Sequence, residues 1–260
     1  MKLASFNING IKARLPALLD WLKEADPDVA VLQEIKSIDE NFPREQIEDL
    51  GYTVVTHGQK SFNGVALLSK VPLEDVMMGL PGDDADTQAR YIEATVIGSK
   101  NALRFCGLYL PNGNPAPGPK YDYKLAWMER LQNRAKTLMA LEEPFLLTGD
   151  FNVIPQPEDC YDPKAWEDDA LYLPQTREAF RKLCAIGLTD ALRIREFAPM
   201  TYTFWDYQAG AWQKNHGIRI DHFLLSPAVA DMLIECQIDR EYRNREKPSD
   251  HVPIWVELDL

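Results

Sequence analysis

The sequence predicts an α/β or α+β sandwich, two sheets covered by helices, in a single domain spanning 1–260. Three observations carry this expectation. Short apolar, β-branched or aromatic runs outnumber the helical stretches. The two kinds of segment follow one another in mixed order, which argues against a regularly alternating barrel. No composition shift, low-complexity tract, Ser/Gly-rich linker or fixed-period repeat divides the 260 residues, which are 45% hydrophobic and 26% charged.

In chain order, strands are expected at Leu3 to Ile8, Val29 to Leu32, Tyr52 to Thr56, Gly64 to Leu68 and Tyr91 to Ile97. Further strands are expected at Leu103 to Leu110, Pro144 to Thr148, Thr201 to Trp205, Ile218 to Leu225 and Pro253 to Leu258. Helical spacing appears in Ala13 to Ala25, where Leu15, Leu18, Leu19 and Leu22 share a face. It recurs in Tyr121 to Leu141 through Leu125, Met128, Leu131, Ala135 and Leu138, and Thr176 to Ile186 is a third candidate.

The chain starts Met1-Lys2-Leu3-Ala4-Ser5 and turns polar too soon for a signal peptide, and no apolar run approaches membrane-spanning length. A soluble cytoplasmic protein without a membrane partner is expected. Cys106, Cys160, Cys184 and Cys236 form no CxxC or Cys/His cluster, so neither a zinc site nor a disulfide framework is indicated. The net charge of −12 opposes nucleic-acid binding at long range. A local basic face and a bound metal can dominate at contact, and catalytic carboxylates themselves contribute to an acidic total.

Polar residues collect where the apolar strands stop. Val29 to Leu32 runs into Gln33-Glu34, and Pro144 to Thr148 into Gly149-Asp150-Phe151-Asn152. The first strand delivers Asn7 and Asn9, and Leu103 to Tyr109 leads into Leu110-Pro111-Asn112-Gly113. Residues two apart on an extended segment share a side, so Asp150 and Asn152 face one site together, as do Asn7 and Asn9. Such oxygen-rich sets suit hard cations like Mg²⁺. Pro248-Ser249-Asp250-His251 brings a carboxylate and an imidazole into one loop, with Asp221 available to orient the histidine. Each fragment has a plain alternative: Glu34 as a solvated strand-end charge, GDFN as a turn, Tyr109 as a core aromatic, Asp250-His251 as a loop hydrogen-bond pair. His222, followed by Phe-Leu-Leu, reads as a structural or surface histidine, and His57 and His216 are weak candidates.

In this order, the fragments SFNING (5–10), LQE (32–34), HGQK and NGVALLSK (57–70), LPGDD (80–84), YLPNG (109–113) and GDFN (149–152) form a set. TFWDY (203–207), GIRIDHFLLS (217–226) and EKPSDHVPIW (246–255) complete it. The set resembles the exonuclease III family of abasic-site repair nucleases, within the endonuclease/exonuclease/phosphatase superfamily, over essentially the whole chain. A lone GDxN is weak evidence; the ordered set ending in KPSDH is strong.

The resemblance implies a four-layer αββα sandwich of two mixed sheets flanked by helices. It implies metal ligation by Asn7 and Glu34, completed by Asp250, with Asp150, Asn152 and His251 as further ligands; one or two Mg²⁺ ions are expected, with Mn²⁺ as substitute. Tyr109, Asp150, Asn152, Asp221 and His251 are the implied catalytic residues, Asp150 accepting a proton from the attacking water. Phe204, Trp205 and Ile218 match positions lining a pocket for an extruded abasic sugar, and Lys60, Arg90, Asn112, Lys120 and Arg219 are candidate DNA contacts. The implied substrate is double-stranded DNA with abasic sites or 3′ ends. The implied activity is cleavage 5′ of an abasic site, leaving a 3′-hydroxyl, with 3′-5′ exonuclease and 3′-phosphatase activity beside it. A monomer without an obligate protein partner is expected, associated with the nucleoid during repair.

Phe151 stands where family members often carry Met and, on an extended segment, points away from Asp150 and Asn152; Asn112 stands where they often carry Gln, and its shorter side chain bears on the exonuclease-to-endonuclease balance. Two other classes stay open. A superfamily phosphatase acting on inositol phosphates or lipids would follow GDxN with an Arg-rich segment, where this chain has Val153-Ile154-Pro155. A non-catalytic nucleic-acid-binding regulator would have eroded metal and histidine positions, yet all of them are present.

Overall fold

The computed structural model describes residues 1–194 and 200–260. In chain order the elements are β1 (Lys2–Asn7), α1 (Ile11–Ala25), β2 (Val29–Gln33), α2 (Arg44–Glu48), β3 (Thr53–His57), β4 (Val65–Ser69), β5 (Leu73–Met78), β6 (Tyr91–Ile97) and β7 (Ala102–Tyr109). They continue with α3 (Pro119–Ala140), β8 (Phe145–Asp150), α4 (Pro174–Cys184), β9 (Thr189–Asp190), α5 (Ala211–Lys214), β10 (Asp221–Leu225), α6 (Pro227–Asp231), β11 (Leu233–Ile238) and β12 (Ile254–Leu258).

The strands form two six-stranded sheets, ordered β11-β12-β1-β2-β4-β3 and β5-β6-β7-β8-β10-β9. Each is mixed: β1–β2 and β7–β8 are parallel, and their outer neighbours are antiparallel. Period-two alternation explains the layering. In the first sheet Val29, Val31, Val65 and Leu67 point inward, where they meet Phe105, Leu146 and Phe223 of the second. Their neighbours Ala30, Leu32, Ala66 and Leu68 point outward onto Leu18, Trp21 and Leu22 of α1. In the second sheet Cys106, Leu108 and Leu147 point outward onto Trp127, Leu131 and Ala135 of α3 and Phe180 of α4. Helices, two sheets and helices make the four layers, with β2, β4, β8 and β10 buried on both faces. Fully burying one such aliphatic side chain contributes roughly 1.5–3 kcal/mol. Gly107 lets the sheets approach, since a Cβ there would lie 2.4 Å from a Val31 methyl.

Some expectations are corrected. Thr201 to Trp205 is not a strand but a segment bridged at Phe204 to both Ile218 and His251. The expected strand Ile218 to Leu225 begins only at Asp221. Two edge strands were not expected. β5 carries Glu74 and Asp75 on an exposed, bulged edge, and β11 interleaves Glu235 and Gln237 with apolar residues, so neither presents a clear apolar run. On α3 the buried face includes Lys124, whereas Leu125 is only half-buried.

Candidate active site

The topology brings the polar strand ends to one rim. β1, β2, β7 and β8 end there, at Asn7, just before Glu34, at Tyr109 and at Asp150. The antiparallel strands supply their beginnings: β10 starts at Asp221, and His251 precedes β12. Register aligns them, since Asp150 lies opposite Tyr109 on one side and Asp221 on the other. Glu34 and Asn152 both adopt left-handed backbone (φ 50° and 48°), which few non-glycine residues tolerate and which recurs at functional sites. Asp150 and Asn152 do share the site, but through a turn rather than an extended strand: the Asn152 N–H donates to Asp150 Oδ1 at 2.8 Å. Gly149 before them is required, because a Cβ would lie 1.9 Å from the Leu108 carbonyl oxygen. Phe151 turns away, buried against Phe180 and His222.

Asn7 lies between the two carboxylates, its amide donating to Glu34 Oε1 and Asp150 Oδ2, each at 3.0 Å. Its oxygen accepts from the Asn9 N–H. His251 Nδ1 lies 2.8 Å from Asp221 Oδ2 and its Nε2 lies 3.6 Å from Asp150 Oδ2. Burial pulls the imidazolium down, but Asp221 and Asp150 outweigh it and raise His251 to about 10. Burial pushes Asp150 up to about 7 against the attraction of His251, with Asp221 adding to the rise. Glu34 stays below the usual carboxylate range: burial would raise it, but Lys36 at 2.9 Å and Asn7 hold it down. Burial, then Glu34 and Asp150, push the Tyr109 hydroxyl well up, so it remains a donor at neutral pH. Asp250 accepts from the Asn9 amide at 2.9 Å at the edge of this cluster.

Ligand atoms of Glu34, Asp150 and His251 lie within 4.8 Å of one another, a grouping able to hold a metal ion. Two carboxylates joined by one amide make an oxygen-rich donor set that fits a hard divalent cation.

The site opens into a cleft of about 590 Å³. Phe204, Ile218, Ile220, Leu171 and Trp166 form its apolar part, beside Asp150, Asn152 and His251. Two expected DNA-facing residues are elsewhere. Trp205 is 0% exposed and packs on Tyr202, Trp212 and Val252, so it supports the wall from behind. Arg219 is 1% exposed, its guanidinium bound to Asp159 at 2.7 Å and Asp190 at 2.8 Å, so it braces the core. Lys60, Asn112 and Lys120 are exposed, and half-buried Arg90 stacks over the Tyr109 ring at 4.8 Å. His222 is buried, His57 approaches the Tyr91 carbonyl, and His216 stacks on Tyr161 in the cleft wall.

Ile220, Trp166 and Leu171 were not expected in the cleft, nor Lys124 beneath it. Ile220 follows Ile218 at strand spacing, a signal that could have found it. Lys124 shares a helix face with Met128, Leu131 and Ala135, which marks it as buried. Its burial pulls its pKa down to about 7 against the attraction of Asp150 and Asp169.

Comparison with known proteins agrees with this geometry. Residues 4–251 match the model of the Endonuclease/Exonuclease/phosphatase family. An exodeoxyribonuclease III of Haemophilus influenzae is 37% identical, covering 99% of this chain and 100% of its own length. Among solved structures, an AP endonuclease from Archaeoglobus fulgidus superposes with TM-score 0.94 at 35% identity, and a 3′ phosphatase from Neisseria bound to product DNA hairpin with 0.95 at 38%. Both cover 100% of each chain. With the match extending over nearly all of its length, this chain belongs to the endonuclease/exonuclease/phosphatase family.

Proposed function

We infer that this protein is a hydrolytic DNA-repair nuclease, a single-domain, Mg²⁺-dependent phosphodiesterase that cuts the backbone 5′ of abasic sites and leaves a 3′-hydroxyl. The observation that carries this reading is the convergence of Glu34, Asp150 and the His251–Asp221 pair beside an apolar recess. The similarities to an exodeoxyribonuclease III, an AP endonuclease and a 3′ phosphatase support it, and favour 3′-5′ exonuclease and 3′-phosphatase activity at the same site.

In this mechanism Asp150 accepts the proton of the water that attacks the phosphorus in line. General-base catalysis of this kind contributes about 10²–10⁴-fold. Asn7 and the Asn152 N–H hold the carboxylate in place. His251, kept cationic by Asp221, donates through Nε2 to a phosphoryl oxygen, and the Tyr109 hydroxyl donates to phosphate or leaving oxygen. Asn152 uses one amide hydrogen on the Leu110 carbonyl, which leaves the other for the phosphate. Glu34 and Asp150, with Asn7 and Asp250 near, are the residues that would hold Mg²⁺, which when bound supplies charge neutralisation at the phosphoryl oxygens. In this reading Glu34 and Asp150 are the principal ligands, and His251, its Nδ1 engaged by Asp221, is left to face the phosphate. Phe204, Ile218 and Ile220 receive a sugar that lacks its base, while Lys60, Arg90, Asn112 and Lys120 meet the duplex.

The test is cleavage of a duplex with one abasic-site analogue, an undamaged duplex and a 3′-phosphorylated duplex, each with Mg²⁺ and with EDTA. Metal-dependent incision at the lesion is expected, with slower loss of 3′ phosphate and 3′ nucleotides. Failure to cut any of the three would sink the nuclease reading; cutting only from 3′ ends would move the main activity to exonuclease.

A further inference from the structure

Lys124 of α3 is 0% exposed and lies outside the set of groups that the mechanism uses. Among the described residues its ammonium pairs with no carboxylate oxygen at hydrogen-bonding distance and donates instead to two backbone carbonyls, Asn152 O at 2.6 Å and Asn112 O at 3.0 Å. Those carbonyls belong to the two loops that follow β7 and β8 and border the cleft. The loops are joined once more at their side chains, where the Asn112 amide donates to Asn152 Oδ1 at 3.2 Å. Packing round the lysine is tight: a Cβ on Gly113 would lie 2.6 Å from Lys124 Cδ.

The consequence runs through a single residue. Asn152 is held in left-handed backbone, a conformation that persists only when its surroundings over-determine it. Its carbonyl is fixed by Lys124 and its N–H fixes Asp150 Oδ1. A buried carbonyl without a partner is costly, so removal of the ammonium would free both loops to reorient. We infer that Lys124 is a positioning residue for hydrolysis: its buried ammonium clamps the Asn112 and Asn152 loops and so sets the orientation of the Asp150 carboxylate. The ammonium is buried away from the phosphate, so its main effect falls on the chemical step, and any loss of DNA affinity is limited to the share of the single Asn112 contact.

This inference rests on the nuclease reading above. The experiment compares wild type with Lys124→Met, which fills the slot without the ammonium, on the abasic duplex in Mg²⁺. Thermal melting checks the fold, and anisotropy of labelled duplex in EDTA reads affinity apart from turnover. The expected result is a fall in kcat of about 100-fold, the scale of an ångström-sized misplacement, with KM and the EDTA affinity within about threefold of wild type. A kcat within about threefold of wild type, or a loss shared equally by DNA affinity, overturns the inference while the nuclease reading stands. Wild type that cuts no duplex overturns both. Should Lys124→Met fail to fold, Lys124→Leu, which likewise removes the donor, must produce the same split between kcat and KM.

Discussion

Two buried carboxylates on the second sheet, Glu93 in β6 and Asp150 at the end of β8, are handled in opposite ways. Glu93 is closed on all sides. Arg104 Nε reaches it at 2.8 Å and Arg134 Nε at 3.1 Å, and the Tyr91 hydroxyl donates to it as well. Burial would push Glu93 up, but the Arg134, Tyr91 and Arg104 hydrogen bonds hold it below the usual range. Asp150 meets two amides and a histidine shared with Asp221, and burial leaves it raised to about 7. The first arrangement neutralises a charge for good. The second leaves a carboxylate open to a cation brought from outside, which is the difference between a structural carboxylate and the one proposed to act in catalysis.

The largest effect is expected from Asp150→Asn. Turnover on the abasic duplex should fall by about 10³-fold or more, as for loss of a general base, while the melting temperature stays level or rises, because a buried charge is removed. A melting loss as severe as that at Glu93 would erase the distinction. Glu93→Ala should do the reverse. It leaves Arg104 and Arg134 facing a gap and should cost about 3–5 kcal/mol in urea unfolding, with kcat per folded molecule unchanged. An Ala variant of full stability but low kcat would tie Glu93 to the chemistry.

A smaller effect sharpens the comparison with a third solution, the neutral buried group. Arg219 lies 3.0 Å from His222 Nδ1, which must therefore accept, so the ring proton sits on Nε2 and donates to the Val153 carbonyl at 3.1 Å. Burial, then the Arg219 charge, pull His222 down from 6.5 to about 3. Between those values the unfolded chain takes up a proton that the folded chain refuses, so stability falls as pH drops through that window. His222→Gln, which does not titrate, should flatten that part of the pH–stability curve while activity at neutral pH persists. An unaltered curve would place the acid sensitivity in other groups.

Much of the candidate site was legible because the residues proposed for catalysis stand where apolar runs stop, and such stops are local. Gln33-Glu34, Gly149-Asp150 and Ser249-Asp250-His251 could be read without coordinates. Reading roles was harder where burial reverses a residue's usual habit. Arg219 was offered as a DNA contact by the family resemblance, yet Asp159, sixty positions away, and Asp190 draw it inside. Trp205 follows Phe204 directly but faces the opposite way, so one lines the cleft and the other supports it.

Strands, amphipathic helices and the chemical types at the strand ends are written locally in the chain, because side-chain direction and apolar patterning depend only on near neighbours. Which ends meet is set by long-range topology. The contact of Asn7 with Asp150 spans 143 positions, and that of His251 with Asp221 spans 30. Strand order and register create those contacts. They also decide which groups lose water, and so which carboxylate is neutralised, which is raised, and which lysine is sealed beneath the cleft.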